Sequence, residues 1–211
     1  MGKQLALSFD DGPNTDITVQ VLDILEKYGV VASFFLIADN ITEESKESVK
    51  RAYAMGCDIE NHSRTHKNMT ELSAEEIKEE IKYCSNAIYD IVGEYPTFFR
   101  PPFILVNKTM ADNIDLPFIC GTNGLDWEPS VKADERARLI IEGVDDGHII
   151  LLHDMTGNDE TVKALDVIIP TLLKQGYEFV TVPQLFKNKG VVPNVHTGQT
   201  YSCIFAPEER I

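Results

Sequence analysis

No stretch of this 211-residue chain is apolar enough to cross a membrane. The longest apolar run, Val30 to Ala38, contains Ser33 and is about half of the ~18 residues a span needs. Positive charge is scarce: Lys plus Arg number 19 against 34 Asp plus Glu, for a formal net charge of −15. An acidic fold repels phosphate backbones and, more weakly, anionic surfaces. Neither nucleic acid nor a membrane is therefore an expected partner, and a neutral substrate fits best. The four cysteines, at 57, 84, 120 and 203, show neither zinc-ribbon nor Cys-x-x-Cys spacing. They read as small buried apolar residues, with disulfides as the alternative. The N-terminus, Met1-Gly2-Lys3-Gln4, carries no signal h-region or transit peptide. The chain as given reads as cytoplasmic, or as secreted with its leader trimmed. No motif sets an oligomeric state.

The sequence does contain an alternation of short apolar runs and helical periods. Leu5–Phe9, Val31–Ile37 and His148–Leu152 are nearly continuous apolar runs, as expected of strands buried on both faces. Shorter strands are expected at Cys57–Glu60, Thr97–Phe99, Leu116–Cys120 and Glu178–Val182. Ile17, Val21, Leu22, Leu25 and Tyr28 recur at helical spacing, with Gly29 as the stop. Ser73 and Glu76 form a capping box ahead of Ile77, Ile81, Cys84, Ile88 and Ile91. Strand–helix alternation implies an α/β fold on a parallel sheet, either a barrel or an open doubly wound sheet. No Gly-x-Gly-x-x-Gly follows the first strand, so a dinucleotide fold has no support.

The chemistry lies behind the strands. Asp10-Asp11-Gly12-Pro13, Asn61-His62-Ser63-Arg64-Thr65-His66, Arg100-Pro101-Pro102, Asp126-Trp127 and His153-Asp154 each follow a strand. In parallel α/β folds that rim is where active sites assemble. His62 and His66 are spaced i, i+4, which on a helical turn points both imidazoles at one metal. Residue 63 is Ser, so the His-Glu-x-x-His protease pattern is absent. Two His and one Asp, with Asp11 as the third, would leave a position open for water. A His held by a carboxylate stays protonated and can serve as a general acid. An Arg beside a carboxylate base fixes its orientation.

These five motifs, in this order across residues 4 to 187, resemble the polysaccharide deacetylase (NodB-homology) domain, carbohydrate esterase family 4. The look is closest to bacterial acetylxylan esterases. The resemblance implies a distorted parallel (β/α)7-8 TIM-like barrel over residues 1–187, followed by a tail, 188–211, without a motif. It implies one divalent metal ion, zinc or cobalt, on Asp11, His62 and His66. Asp10 would take the proton of the attacking water, oriented by Arg100, and His153, tuned by Asp126, would protonate the leaving group. The backbone N–H of Phe103 would face the oxyanion, and Trp127 and Leu151 would line the acetyl pocket. The implied substrate is an acetylated oligo- or polysaccharide, O-acetyl xylan first. Alternatives are N-acetylglucosamine in chitin oligomers or peptidoglycan, a catalytically silent sugar-binding domain, and a cyclic amide hydrolase. Two positions depart from the family pattern: Phe103-Ile104 stands where Tyr-Gly is usual, and Asn123 where an Asp often precedes Asp126 by three residues.

Overall fold

A computed structural model describes residues 2–211. Strand β1 (Lys3–Asp10) is its axis, and every residue from Gln4 to Asp10 is buried. Helix α1 (Ile17–Tyr28), ended by Gly29 in the left-handed conformation, leads to β2 (Ser33–Leu36). Helix α2 (Lys46–Ala54), β3 (Asp58–Asn61) and the capping-boxed α3 (Ala74–Val92) follow. Then come α4 (Lys108–Asn113), β4 (Phe118–Ile119), β5 (Thr122–Asn123), α5 (Ala133–Gly143) and β6 (Ile149–His153). Helix α6 (Asp159–Lys174), β7 (Tyr177–Val180) and α7 (Val182–Lys189) complete the alternating series.

The main sheet runs β3-β2-β1-β6-β5, all parallel, with β7 paired to the first half of β1. The expected strand at Thr97–Phe99 shrinks to one bridged residue. Phe99 alone links Asn61 on one side to Phe118 on the other, because Pro101 and Pro102 stop the extended run. Residues 188–211 lie within this same body. β8 (Thr200–Cys203) pairs parallel to β4, and β9 (Ala206–Glu208) folds back on it. Cys120 N–H donates to Tyr201 O and Ile204 N–H to Gly147 O, so the hairpin closes the ring between β4 and β6. The result is an α/β fold whose parallel strands form a distorted barrel.

Strand side chains alternate in direction, and here the alternation sorts core from chemistry. Leu5, Leu7 and Phe9 of β1, with Ile150 and Leu152 of β6, face the helices in the larger apolar core. Ala6 and Ile149 face the barrel interior with Phe35, Phe98, Val180 and Tyr201. Continuing the inward row toward the C-terminal rim gives Ser8 and Asp10 on β1, and Leu151 and His153 on β6. Parallel register sets Asp10 directly beside His153. All four cysteines are free thiols, three buried and Cys203 half-buried. No helix among the described residues is long and apolar enough to cross a membrane.

Candidate active site

One cleft of about 390 Å³ at the strand C-terminal ends is lined by Asp10, Asp11, His62, His66, Phe103, Trp127, Leu151 and His153. Arg100 and Asp126 lie behind it, both fully buried. The structure therefore brings together all ten residues singled out in the sequence. Eight stand at the surface of the cleft, and two support it from beneath.

Arg100 Nη1 donates to Asp10 Oδ1 at 2.5 Å, while Nη2 donates to Ser8 Oγ at 2.9 Å and to the Cys120 carbonyl at 2.7 Å. Its guanidinium lies 4.1 Å from the centre of the Phe35 ring. A buried guanidinium needs this partnering, and in exchange it pins one oxygen of Asp10. The other oxygen, Oδ2, lies 3.7 Å from His62 Nε2.

Asp11 leaves β1 at φ 71°, just before a cis Gly12–Pro13 bond. Its Oδ1 is 3.4 Å from His62 Nε2 and 3.5 Å from His66 Nε2, and it is buried with no hydrogen-bond donor. His62 Nδ1 contacts the Arg100 carbonyl at 2.6 Å. A carbonyl only accepts, so Nδ1 carries a proton, and Nε2 is the ring atom turned toward Asp11 and available to a cation. Burial, with His62 adding, lowers the His66 pKa. Burial alone would raise the Asp11 carboxyl, but His62, with His153 and His66 adding, brings it net below its usual value. An orphaned carboxylate oxygen and two imidazoles, their ligand atoms within 4.8 Å of one another, fit a divalent cation.

The two histidines do not meet on a helical turn, as their spacing suggests. His62 ends the β3 ladder, and His66 returns through a loop in which Ser63 (φ 70°) and His66 (φ 56°) are left-handed. That loop is tied down by groups outside the five motifs as well as within them. Asn61 Oδ1 accepts from Ser63 N–H, Ser63 Oγ accepts from His66 N–H, and the buried Glu80 carboxylate accepts from Arg64 N–H, Thr65 N–H and the Thr65 hydroxyl. The one signal for Glu80 is that it shares a helix face with Ile77, Cys84 and Ile88.

On the opposite wall, Asp126 Oδ1 meets His153 Nδ1 at 2.8 Å, and its Oδ2 accepts from His153 N–H, Thr161 Oγ1 and Asn158 Nδ2. Burial alone would lower the His153 pKa; Asp126, with Asp10 and Asp11 adding, raises it to about 9. The Trp127 ring packs edge-on to His153 at 5.8 Å, and Phe103 packs likewise on His66 at 4.6 Å. Phe103 and Ile104 both have positive φ, 58° and 55°. In this turn Ile104 N–H and Leu105 N–H bond back to Pro101 and Pro102, leaving Phe103 N–H at the cleft without such a bond. Asp154, next to His153, is fully buried. Burial, with Asp11 and Asp10 adding, pushes its pKa up to about 7.

Comparison with known proteins agrees with this geometry. The family model described as polysaccharide deacetylase matches residues 1–116. The chain is 50% identical over 193 residues to a bifunctional xylanase/deacetylase of Pseudobutyrivibrio xylanivorans, covering 92% of this chain and 32% of that protein. It is 36% identical over 188 residues to a peptidoglycan-N-acetylglucosamine deacetylase of Listeria monocytogenes, covering 89% of this chain and 40% of that one. The chain thus spans between about a third and two fifths of these curated relatives. Among solved structures, the Xyl-CE4 domain of a multidomain xylanase from the hindgut metagenome of Trinervitermes trinervoides superposes with a TM-score of 0.94 at 48% identity, covering 97% and 99% of the two chains. A family 4 acetyl xylan esterase from Clostridium thermocellum, in complex with a cobalt ion, gives 0.92 at 40% identity over 95% and 98%. With its five motifs gathered in one cleft and relatives matching over nearly its full length, the chain belongs to the polysaccharide deacetylase family of carbohydrate esterases.

Proposed function

We propose that this domain hydrolyses acetyl groups from a neutral polysaccharide or oligosaccharide, with O-acetyl esters of xylan as the preferred class. The observation that carries the reading is the opposition of two buried ion pairs, Asp10–Arg100 and His153–Asp126, across the Asp11–His62–His66 triad. A divalent cation on that triad, for which zinc and cobalt both suit the donor set, supplies the Lewis acidity that makes a water nucleophilic near neutral pH.

The protein groups divide the remaining work. Asp10 presents Oδ2 to the cleft, because Arg100 holds Oδ1, and takes the proton of the attacking water. Phe103 N–H donates to the acyl oxygen as negative charge develops there. His153 is protonated near neutrality and gives its proton to the sugar oxygen as the C–O bond breaks. Acetate and a free hydroxyl are the products. Trp127 and Leu151 wall the acetyl methyl away from water. No side chain becomes acylated.

Xylan is favoured by the relatives, one a bifunctional xylanase/deacetylase and another the Xyl-CE4 domain of a multidomain xylanase, and by the net charge of −15, which opposes anionic polymers. N-deacetylation is the second reading, favoured by the 36% identity to the peptidoglycan enzyme. The test is acetate release by chelator-stripped protein reloaded with zinc or cobalt, on acetylated xylan and chitin oligomers side by side. Metal-dependent release from xylan is expected. Release from chitin oligomers alone would replace ester with amide as the substrate, and silence on both would overturn the reading.

A further inference from the structure

Asp154 takes no part in the steps above, yet it touches the segment carrying both working carboxylates at several points. Its backbone N–H donates to Asp10 O at 3.1 Å, and its carbonyl accepts from Asn14 Nδ2 at 2.6 Å. Its Oδ2 accepts from Thr18 Oγ1 at 2.5 Å, and the same hydroxyl accepts from Asn14 N–H at 3.0 Å. Gly12 lies directly against the carboxyl: a Cβ built there would stand 2.6 Å from Oδ2 and 2.8 Å from Oδ1. Gly12 is not at a positive φ, so its missing side chain serves space alone. Oδ1 is buried against this turn and has no hydrogen-bond partner. The turn's other side is held by Asn40 Nδ2 on Asp11 O and by Ile37 N–H on Gly12 O. Asp11 itself sits at φ 71°, where its own backbone preference would not keep it.

We propose that Asp154 is a positioning residue: its carboxyl is the seat of the Asp10–Asp11–Gly12 turn and holds Asp11 toward His62 and His66. Its bearing on turnover rests on the function proposed above; its bearing on cation binding does not. Removing the carboxyl opens space beneath Gly12 and frees Thr18, so the turn relaxes and both carboxylates drift. Loss of such support behind a metal ligand weakens binding by about 10–100-fold, and misplacement of a reacting group by about 1 Å costs about a hundredfold in rate.

The test titrates chelator-stripped variants with zinc and cobalt against a chromophoric chelator and measures acetate release in parallel, wild type first. Asp154→Ala is expected to bind metal at least about tenfold more weakly and to lose about a hundredfold in kcat with KM within about twofold. Asp154→Asn keeps the volume and an acceptor for Thr18, and should return both to within about threefold of wild type, a loss smaller than that of one hydrogen bond. Thr18→Val, which removes one donor away from the cleft, should weaken metal binding by about fivefold. Gly12→Ala should lose metal affinity through its clash, and adding Asp154→Ala should give part of it back. A folded Asp154→Ala that binds metal like wild type overturns the proposal. So does a double variant no better than Gly12→Ala. If Asp154→Ala fails to fold, Thr18→Val and the double variant decide. If wild type releases no acetate while the affinities follow this order, the function is wrong and the seat stands.

Discussion

Replacing Asp126 by Asn should test the proton-donor role proposed for His153 apart from everything else in the site. Asp126 is fully buried, and its two oxygens accept four donors, two of them on His153. With the carboxylate in place the His153 pKa is raised from 6.5 to about 9. That gap corresponds to about 3 kcal/mol favouring the imidazolium. Without the charge, burial pulls the ring to its ordinary value or below, so at pH 7.5 the protonated fraction falls from nearly all to about a tenth. The amide also offers one acceptor oxygen where two are used. Its NH₂ must then face a buried donor, at a further cost of about 1–3 kcal/mol. We expect kcat for acetate release to fall by about 10²–10³ at neutral pH. The alkaline limb of the kcat profile should move down by about two pH units. Affinity for zinc should stay near wild type, because no triad atom is touched. Folded-state stability gives an independent reading. A His with a raised folded pKa contributes stability that is complete below pH 6.5 and lost as pH rises toward 9. The Asp126→Asn variant should flatten Tm against pH across that window. The assays are kcat against pH for both proteins at equal metal loading, and an NMR titration of His153 in the metal-free proteins. An alkaline limb that does not move, with kcat within about threefold, would refute His153 as a proton donor held by Asp126.

Other perturbations address the remaining groups. Asp10→Asn should lower kcat by about 10³ while zinc still binds within about tenfold, as metal titration and acetate release together would show. The same variant leaves Arg100 buried beside a neutral amide, so Tm should also fall, by the equivalent of about 3 kcal/mol. Removing the cation with a chelator should abolish turnover, and because Asp11 Oδ1 then has no partner, zinc at about a thousand times its Kd should return about 4 kcal/mol, or about 10 °C in Tm by calorimetry. Within β3, Glu60 is fully buried and accepts from Thr97 N–H, Phe98 N–H and the Thr97 hydroxyl. Burial and the neighbouring Asp58 hold its pKa well above the usual value. An acid raised in this way contributes stability at low pH that is lost as pH rises through its folded pKa. Glu60→Gln should therefore raise Tm more at pH 8 than at pH 5, and an equal change at both would rule out the titration.

The parts of this molecule that are legible in the sequence are those governed by local rules. β1 and β6 are built on short, largely apolar runs, Leu5–Phe9 and Ile149–Leu152, because both their faces are covered, and α3 announces its start through Ser73 and Glu76. What stays hidden depends on partners far along the chain. The barrel-closing hairpin has its apolar run, Cys203–Ala206, at the turn rather than along a strand: Tyr201 and Ile204 anchor it in the core, and its remaining order comes from pairing with β4. The spacing of His62 and His66 pairs them correctly for the wrong reason. It fits a helix, but Asn61, Ser63 and a glutamate on α3 fold the segment into a loop instead. Glu80 is one of four glutamates within six residues, and composition gives no hint that it faces inward. Arg100 and Asp126 are legible as chemistry, whereas Ser8, Thr161 and Asn158, which hold them, look like ordinary polar residues until the fold brings them near.

Where this chain breaks the general rules of folding, it breaks them around one cleft. Among the described residues seven non-glycines have positive φ, and six of them, Asp11, Ser63, His66, Phe103, Ile104 and Leu125, sit in the loops that form the cleft. An Ile at φ 55° is a costly choice, since a β-branched side chain crowds its own backbone there. Of the buried side-chain atoms without a hydrogen-bond partner, Asp11 Oδ1, Arg100 Nε and Asp154 Oδ1 lie at or just beneath the same cleft, while Asp58 Oδ2 lies beside Glu60. Each left-handed residue costs on the order of 1–3 kcal/mol, and the scaffold must supply that stability elsewhere. It does so in β1, with its seven buried residues, and in the helix-covered core around it. Strain spread at random over loops would be compatible with any function or none. Strain and unsatisfied charge concentrated, His196 and Asp58 apart, at the rim that holds Asp10, Asp11, His62, His66 and His153 is the signature of a site kept ready for a ligand. A bound cation would satisfy Asp11 Oδ1 but not Asp154 Oδ1 or the Phe103–Ile104 turn. The apoprotein should therefore remain folded and strained rather than collapse, and metal should tighten the loops at 11 and 62–66 more than those at 103–104 and 125, an ordering that hydrogen exchange with and without zinc would reveal.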